Sequence, residues 1–241
     1  PELRAGDGDR DADRRTRPLS RVTVGATASS RFFDPHCTRC PRLAAFLTEL
    51  KVPHPGYWNA PVPAFGDPDA RLLIVGLAPG KHGANASGRP FTGDFAGILL
   101  YQTLYDLALA TAPESTSADD DLKLLGCRIT NAVKCLPPQN KPTTLEVRTC
   151  NSFLRSELEA LPEGGVFLAL GGIAHRAVLR ALNLKGSQYA FGHGSLHDLG
   201  GGRRLVDSYH CSRYNTQTRR LTPAMFREAV ARAKQLALLP A

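Results

Sequence analysis

The chain has 241 residues, a net charge of +8 and 42% hydrophobic residues, enough for the core of one α/β domain. It contains no run of the roughly eighteen apolar residues that a membrane helix needs, and its charged start lacks the apolar core of a secretory signal. We therefore expect a cytoplasmic protein with no membrane partner. The basic balance favours polyanionic partners, nucleic acid first, although part of the excess Arg lies in residues 1–30.

Apolar patterning predicts one domain over residues 31–241, preceded over residues 1–30 by a disordered or weakly ordered basic arm. Helical spacing begins at residues 42–51, and the Pro- and aromatic-rich residues 54–68 are predicted to form a loop. Strands and helices then alternate. The predicted strands are 70–76, 127–133, 166–170 and 204–208, and the predicted helices are 97–111, 144–161, 172–184 and 222–238. This order predicts an α/β fold with a central, mainly parallel four-stranded sheet flanked by helices on both faces.

Ligands of such sheets bind at the carboxyl ends of the strands, so the loop after the first strand is the first candidate site. It reads GLAPGKHGANASGRPFTGD over residues 76–94, and its glycines let the backbone approach a ligand closely. The spacing fits neither a P-loop nor a dinucleotide fingerprint. Phe91 can stack on a flat base or pack in the core. Asp94 can serve as a pocket carboxylate or as the N-cap of the next helix, and its position alone favours the cap.

Two further polar residues follow predicted strands. Asn131 lies near the end of the second strand, where its carboxamide can either read a base edge that carries a donor beside an acceptor or satisfy a turn. His210 follows the fourth strand and precedes a loop rich in Ser, Asn, Thr and Arg. Such a loop suits phosphate contacts, although a hydrogen-bonded structural His and an ordinary solvated loop are the simpler interpretations.

The cysteines indicate a metal site. Cys37 and Cys40 form a C-x-x-C pair, while Cys135 and Cys150 flank a Pro-rich segment. Four thiolates from two separated segments can bind zinc or an iron–sulfur cluster, and ligand type does not distinguish the two. The remaining pair, Cys127 and Cys211, falls outside this pattern, and we interpret both as structural.

Taken together, the motifs GLAPG, GRPFTGD, TNAVKC and H-x-S-x-x-N-T, with four cysteines at matching spacing, resemble the uracil-DNA glycosylase superfamily. The resemblance runs from about Phe32 to Phe226 and is greatest to the family 5, or type B, enzymes, which carry a [4Fe–4S] cluster. Family 4 enzymes have an acidic residue in the first motif, near the position of Leu77. The absence of an acid there points to family 5, in which a downstream Asp takes over, here Asp94.

The resemblance implies a role for each motif residue. Asp94 would orient or activate water, Phe91 would stack on the flipped base, Asn131 would read its edge, and His210 would hydrogen-bond its O2. The substrate pocket would further include the loop residues Gly76, Ala78 and Gly80. The cluster ligands would be Cys37, Cys40, Cys135 and Cys150.

The same resemblance predicts how DNA is bound. The loop Ser212–Asn215 would enter the gap in the duplex, with Arg213 and Tyr214 as candidates for the wedge. Arg219 and Arg220 are candidates for phosphate contacts. The DNA-binding residues predicted in this way are Ser212, Arg213, Tyr214, Asn215, Arg219 and Arg220. We expect a monomeric enzyme of the prokaryotic cytoplasm, associated with the nucleoid, that acts on uracil-containing double-stranded DNA and also on single strands.

Two other functions remain open on the residues themselves. A DNA-binding protein with a structural four-cysteine metal site and no glycosylase activity would account for the charge and the cysteines, but not for a Gly-rich loop that contains Phe91 and Asp94. A small-molecule enzyme of the flavodoxin-like class would use the same loop to bind phosphate.

Overall fold

The computed structural model describes residues 33–239. The predicted basic arm over residues 1–30, and with it the boundary at residue 31, lies outside the described residues. No helix within the described part of the chain is long and apolar enough to span a membrane.

The described residues form a single α/β domain built on one six-stranded sheet. Its strands are β1 (Phe65–Gly66), β2 (Leu72–Gly76), β3 (Cys127–Asn131), β4 (Val166–Leu170), β5 (Leu196–Gly200) and β6 (Arg203–Ser208). The order across the sheet is β1-β3-β2-β4-β6-β5. The four inner strands are parallel, whereas β1 and β5 pair antiparallel at the two edges.

The predicted α/β fold with a mainly parallel sheet is confirmed, but the prediction of four strands is wrong. The missed strand β1 is only two residues long and lies inside the segment 54–68 that was predicted as loop. The other missed strand, β5, has the sequence LHDLG and is half-exposed, so it lacks the apolar run that marks the inner strands. Antiparallel edge strands with one solvated face give a weak sequence signal.

Within residues 33–239, seven α-helices accompany the sheet. Their bounds are α1 (Pro41–Leu50), α2 (Ala84–Ser87), α3 (Phe95–Asp106), α4 (Thr144–Glu159), α5 (Gly172–Ala181), α6 (Arg213–Gln217) and α7 (Pro223–Leu238). The long helices match the predicted ones within a few residues. The short helices α2 and α6 lie within segments predicted as loops, since four or five residues are too few to show a helical period.

Two hydrophobic layers enclose the sheet, as alternation along the strands requires. In β2, Leu72 and Ile74 point into the layer formed with α3 and α7, whereas Leu73 and Val75 point into the layer formed with α4 and α5. The prediction of helices on both faces is therefore confirmed. Because both faces are covered, only the strand ends remain free to form a site.

Helix α4 is tied to α1 by one carboxylate. Thr143 and Glu146 form a capping box at the start of α4, with Glu146 Oε2 accepting the Thr143 N–H at 2.7 Å. The same carboxylate receives both Arg42 Nε and Arg42 Nη2 at 2.7 Å. This bidentate ion pair holds the N-terminal helix against the rest of the domain.

Candidate active site

A cavity of about 510 Å³ opens at the carboxyl ends of the inner strands. Its lining brings together residues from all three predicted polar motifs, namely Ala78, Gly80, Phe91, Asp94, Asn131, His210, Ser212 and Arg213. The other predicted residues, Gly76, Tyr214, Asn215, Arg219 and Arg220, do not line it. The remaining lining residues were not among the predicted site residues, although four of them (Leu77, Asn140, Gly171 and Gly172) lie in loops at the carboxyl ends of the predicted strands; the full set is Leu77, Phe95, Ala96, Asn140, Leu170, Gly171, Gly172 and Ile173.

The strand order predicts some of these positions as parts of candidate loops. Gly171 and Gly172 directly follow the third predicted strand, where such a sheet binds its ligand, although no role was predicted for either residue. Asn140 lies in the loop after the second strand, where both it and Gln139 have a positive φ of about 55°. Phe95 was missed because the apolar pattern placed the start of the helix two residues too late, at residue 97.

Gly76 shapes the floor of the cavity without lining it. It pairs in register with Asn131 on the neighbouring strand. A Cβ at Gly76 would lie 2.4 Å from Asn131 Oδ1 and 2.7 Å from Phe91 Cζ. Only glycine at this position therefore lets the carboxamide and the aromatic ring converge.

The Asn131 side chain is only 3% exposed, and its Oδ1 has no hydrogen-bond partner within residues 33–239. A buried acceptor without a donor costs about 1–3 kcal/mol, so proteins rarely leave one without a reason. If Asn131 only stabilised a turn, its Oδ1 would accept a hydrogen bond from a backbone N–H. The described residues contain no such hydrogen bond. The position of the oxygen beside the cavity indicates that a ligand supplies the donor.

Phe91 and His210 bring two flat rings to the cavity from opposite loops. Their ring centroids lie 6.0 Å apart with an interplanar angle of 26°. Phe91 adopts a positive φ of 60°, an uncommon conformation for a bulky residue. Its backbone is held by α3, since a Cβ at Gly97 would lie 1.8 Å from the Phe91 carbonyl oxygen. Strain of this kind is typical of functional sites.

Burial lowers the pKa of His210 to about 4. The imidazole is therefore neutral at neutral pH and carries one N–H donor. Asn215 Nδ2 donates to the backbone carbonyl of His210 at 2.8 Å, which fixes the start of the loop that follows. His210 thus offers a fixed, uncharged hydrogen-bonding group to the cavity.

Asp94 occupies the N-cap position of α3 but makes no capping hydrogen bond. Its carboxylate instead turns back to the Gly-rich loop, where Oδ2 accepts the Ala84 N–H at 3.2 Å. Burial raises the pKa of Asp94, while the backbone N–H groups of Ala84 and Gly80 and the charge of His82 counteract this effect. The capping interpretation thus holds for the backbone position but not for the side chain, which faces the cavity.

The loop after His210 folds into α6. Ser212 caps this helix by accepting the Asn215 N–H at 3.4 Å, so the side chains of both residues hold the loop together. Tyr214 is 70% exposed and does not line the cavity. The guanidinium of Arg220 lies 4.5 Å from the ring centroid of Tyr209, the residue before His210.

The four predicted ligand cysteines converge on one small cavity between α1, α4 and the loop after β3. Two N–H groups point at their sulfur atoms, from Lys134 N to Cys150 Sγ at 3.3 Å and from Arg39 Nε to Cys37 Sγ at 3.4 Å. No three of the four sulfur atoms lie within 4.8 Å of one another. The other cysteines, Cys127 and Cys211, are fully buried in the main hydrophobic layer, as the structural interpretation predicts.

Comparison with known proteins agrees with this geometry. The family model of the uracil DNA glycosylase superfamily matches residues 63–234. A type-5 uracil-DNA glycosylase of Thermus thermophilus is 50% identical over 206 residues, which cover 83% of this chain and 94% of that protein. One of Pyrobaculum aerophilum is 44% identical over 202 residues, or 82% of this chain and 88% of that protein.

The type-4 enzymes are more distant. A type-4 uracil-DNA glycosylase of Archaeoglobus fulgidus is 34% identical over 125 residues, which cover 52% of this chain and 55% of that protein. The type-5 matches are both more similar and longer, in agreement with a first motif that lacks an acidic residue. The chain therefore belongs to the uracil-DNA glycosylase superfamily, and within it to the type-5 group.

Proposed function

We propose that this protein removes uracil from DNA by hydrolysing the N-glycosidic bond, leaving an abasic site. Membership of the family supports the glycosylase activity. The observation that assigns this activity to the cavity is the buried Oδ1 of Asn131, which has no hydrogen-bond partner within the described residues. A buried acceptor that ends in a cavity beside two flat rings fits a flat ligand with a hydrogen-bond donor on its edge.

Uracil has such an edge. Its N3–H would donate to Asn131 Oδ1, and its O4 would accept from Asn131 Nδ2. Cytosine presents an acceptor at N3 and a donor at N4, so it would leave both groups of the observed carboxamide mismatched. Unpaired polar groups in a buried site are a strong basis for discrimination. Phe91 would support the face of the base.

The base must leave the duplex before it can reach Asn131. Unstacking costs roughly a few kcal/mol and costs least for a mispaired or single-stranded base. We propose that Arg213 and Tyr214 fill the space that the base leaves and that Arg219 and Arg220 contact phosphates. This fits action on uracil in double-stranded DNA and also in single strands.

When the C1′–N1 bond breaks, its electron pair leaves with uracil, and negative charge builds on O2. Neutral His210 would donate a hydrogen bond to this oxygen, so that the donor is already in place as the charge develops. A donor that already lines the cavity stabilises this charge as it develops. Because its pKa is lowered, His210 is neutral, and a neutral imidazole is sufficient to donate this hydrogen bond.

The sugar becomes an oxocarbenium-like cation, and water adds to C1′. Asp94 would face this cation or hold the water, and general-base assistance of this kind contributes about 10²–10⁴-fold in rate. The Ala84 N–H keeps the carboxylate pointed into the cavity rather than along α3. Asp94, at the end of the loop, would thus take the catalytic role of the acidic residue that family 4 enzymes carry near the position of Leu77.

For the cofactor, we propose a [4Fe–4S] cluster bound by Cys37, Cys40, Cys135 and Cys150. Tetrahedral zinc with Zn–S bonds of about 2.3 Å would hold its sulfur ligands about 3.8 Å apart. Four thiols around one cavity also fit a cluster, in which each cysteine binds a different iron, and the similarity to the type-5 enzymes favours the cluster over zinc. Bound there, the cluster would supply a structural cross-link between the segment before α1, the loop after β3, and α4.

The test is a glycosylase assay under single-turnover conditions on duplexes that each carry one uracil, hypoxanthine or ethenocytosine. The expected result is uracil release and an abasic strand, and Asn131→Ala purified in parallel controls for a contaminating glycosylase. A protein that binds these duplexes but releases no base would instead support the alternative of a DNA-binding protein with a structural metal site.

A further inference from the structure

An aromatic ring and a guanidinium meet across the mouth of the active-site cavity. Phe95 is the first residue of α3, next to Asp94, and Arg213 is the first residue of α6, in the loop after His210. Arg213 Cζ lies 4.7 Å from the centroid of the Phe95 ring. Both residues line the cavity, so the pair connects its two walls at the rim.

Phe95 lies on the exposed side of α3. It is 38% exposed, and Ile98 and Tyr105 on the same helix are 61% and 47% exposed. Phe95 differs from these two residues in lining the cavity. An aromatic ring left in solvent at the mouth of a cavity, with a cation over it, is better explained by binding than by folding.

Within the part of the chain that the structure describes, the contact with Phe95 is the one that holds the charged end of Arg213. Within residues 33–239 no carboxylate lies within ion-pair distance of it. A long arginine side chain has many rotamers, and stacking its planar guanidinium on an aromatic ring reduces them. Phe95 therefore fixes Arg213 without neutralising the charge that DNA would attract.

We propose that Phe95 is a positioning residue that holds Arg213 ready to enter the duplex, and that this pair sets the preference of the enzyme for uracil in double-stranded over single-stranded DNA. The inference rests on the proposed glycosylase function. In a duplex, Arg213 must occupy the space of the flipped base while the base is in the pocket, whereas a single strand leaves no such space to fill. Preorganising the side chain reduces the entropy lost when the complex forms.

The test measures single-turnover uracil release from a duplex and from the same strand alone. Phe95→Ala is expected to lower the duplex rate about five- to tenfold and to leave the single-strand rate near wild type. Phe95→Leu keeps apolar volume without the π face and should behave like Phe95→Ala, whereas Phe95→Tyr should restore the duplex rate. Ile98→Ala is the matched control on the same helix and should change neither rate.

A double-mutant cycle separates positioning from a general loss of structure. If Phe95 acts through Arg213, the variant carrying both Phe95→Ala and Arg213→Ala should lose no more duplex activity than Arg213→Ala alone. Any one of three results would overturn this inference without affecting the proposed function. These are additive losses of duplex activity in the double variant, equal losses on both substrates in Phe95→Ala, and an unchanged duplex rate in Phe95→Ala. A wild-type protein that releases no uracil from either substrate would overturn the proposed function as well.

Discussion

A side chain at Gly83 would collide with the carboxylate of Asp94, since a Cβ at Gly83 would lie 2.0 Å from Asp94 Oδ1. At Gly80 the corresponding distance is 2.3 Å. Two glycines of the loop are therefore needed because of a carboxylate that lies more than ten positions further along the chain. This explains why the loop is rich in glycine without having the spacing of a phosphate-binding motif.

The Gly83→Ala variant should displace Asp94 and lower the single-turnover rate by about 10²-fold or more, within the range for loss of a positioned acid or base. The fold should remain, because Gly83 lies in the loop that follows the carboxyl end of β2 and not in either hydrophobic layer. Gly186→Ala is the control, since a Cβ there meets nothing within 4 Å. A Gly83→Ala enzyme with the wild-type rate would show that the carboxylate position is unimportant.

The pH dependence of base release should reflect Asp94 rather than His210. In the proposed mechanism Asp94 acts as the ionised carboxylate, and burial raises its pKa above the usual 3.8, so the rate should fall as the pH drops through that raised value. His210 stays neutral from high pH down to about 4, so no change is expected near 6.5, where an ordinary histidine titrates.

The measurement is the single-turnover rate as a function of pH for wild type and for Asp94→Asn. The variant should be about 10²–10⁴-fold slower, lack the acid limb due to Asp94, and bind DNA with nearly unchanged affinity. A wild-type profile centred near 6.5 that persists in Asp94→Asn would assign the titration to another group.

The sequence predicted the inner sheet well because its buried strands are continuous apolar runs such as LLIV and VFLAL. It also placed Asn131 and His210 at strand ends and Asp94 at the end of the loop after the first strand, and the parallel topology brings all three to one cavity. What it could not predict depends on contacts between distant segments. The orientation of the Asp94 side chain depends on the absence of a side chain at Gly83, and the contact between Phe95 and Arg213 joins two segments that are distant in sequence. Local patterns carry no information on either pair.

Base selection should depend on the carboxamide of Asn131. Asn131→Ala removes both hydrogen-bonding groups at once, so uracil excision is expected to slow by roughly 10–100-fold, equivalent to about 1–3 kcal/mol. The loss should be smaller for a damaged base whose edge does not match the carboxamide, which narrows the rate ratio between uracil and that base. The rates on single-lesion duplexes measure this ratio. An unchanged ratio would mean that Asn131 supports the pocket without reading the base.

The cysteine assignment predicts a clear difference between ligand and core thiols. Cys135→Ser should lose iron and lower the melting temperature, because the site joins segments that are distant in sequence. The matched controls Cys127→Ser and Cys211→Ser disturb the core but should retain iron at the wild-type ratio. Iron and zinc content per protein, together with the visible absorbance, are the measurements. Retention of full iron in Cys135→Ser, or zinc in place of iron in the wild type, would contradict the proposed cluster.

The last prediction concerns how the exposed loop holds DNA. Tyr214 is 70% exposed and lies outside the cavity lining, one residue from Arg213. If it enters the duplex as a wedge, Tyr214→Ala should slow uracil release from paired DNA and leave release from single strands close to normal. Equal slowing on both substrates would place Tyr214 in the pocket function instead.

Arg219→Ala provides the comparison for Tyr214→Ala, because a phosphate contact behaves differently from a wedge. Its loss should weaken binding to every sequence and lower the slope of log affinity against log salt by about one unit. Arg220→Ala is less suited, since its guanidinium also stacks on Tyr209 next to His210, and its removal would disturb the pocket as well as a phosphate contact. Two measurements on the wild type, Tyr214→Ala and Arg219→Ala distinguish the two roles. In salt titrations of DNA binding, Tyr214→Ala should keep the wild-type slope. In single-turnover assays, Arg219→Ala should keep the wild-type ratio of duplex to single-strand rates.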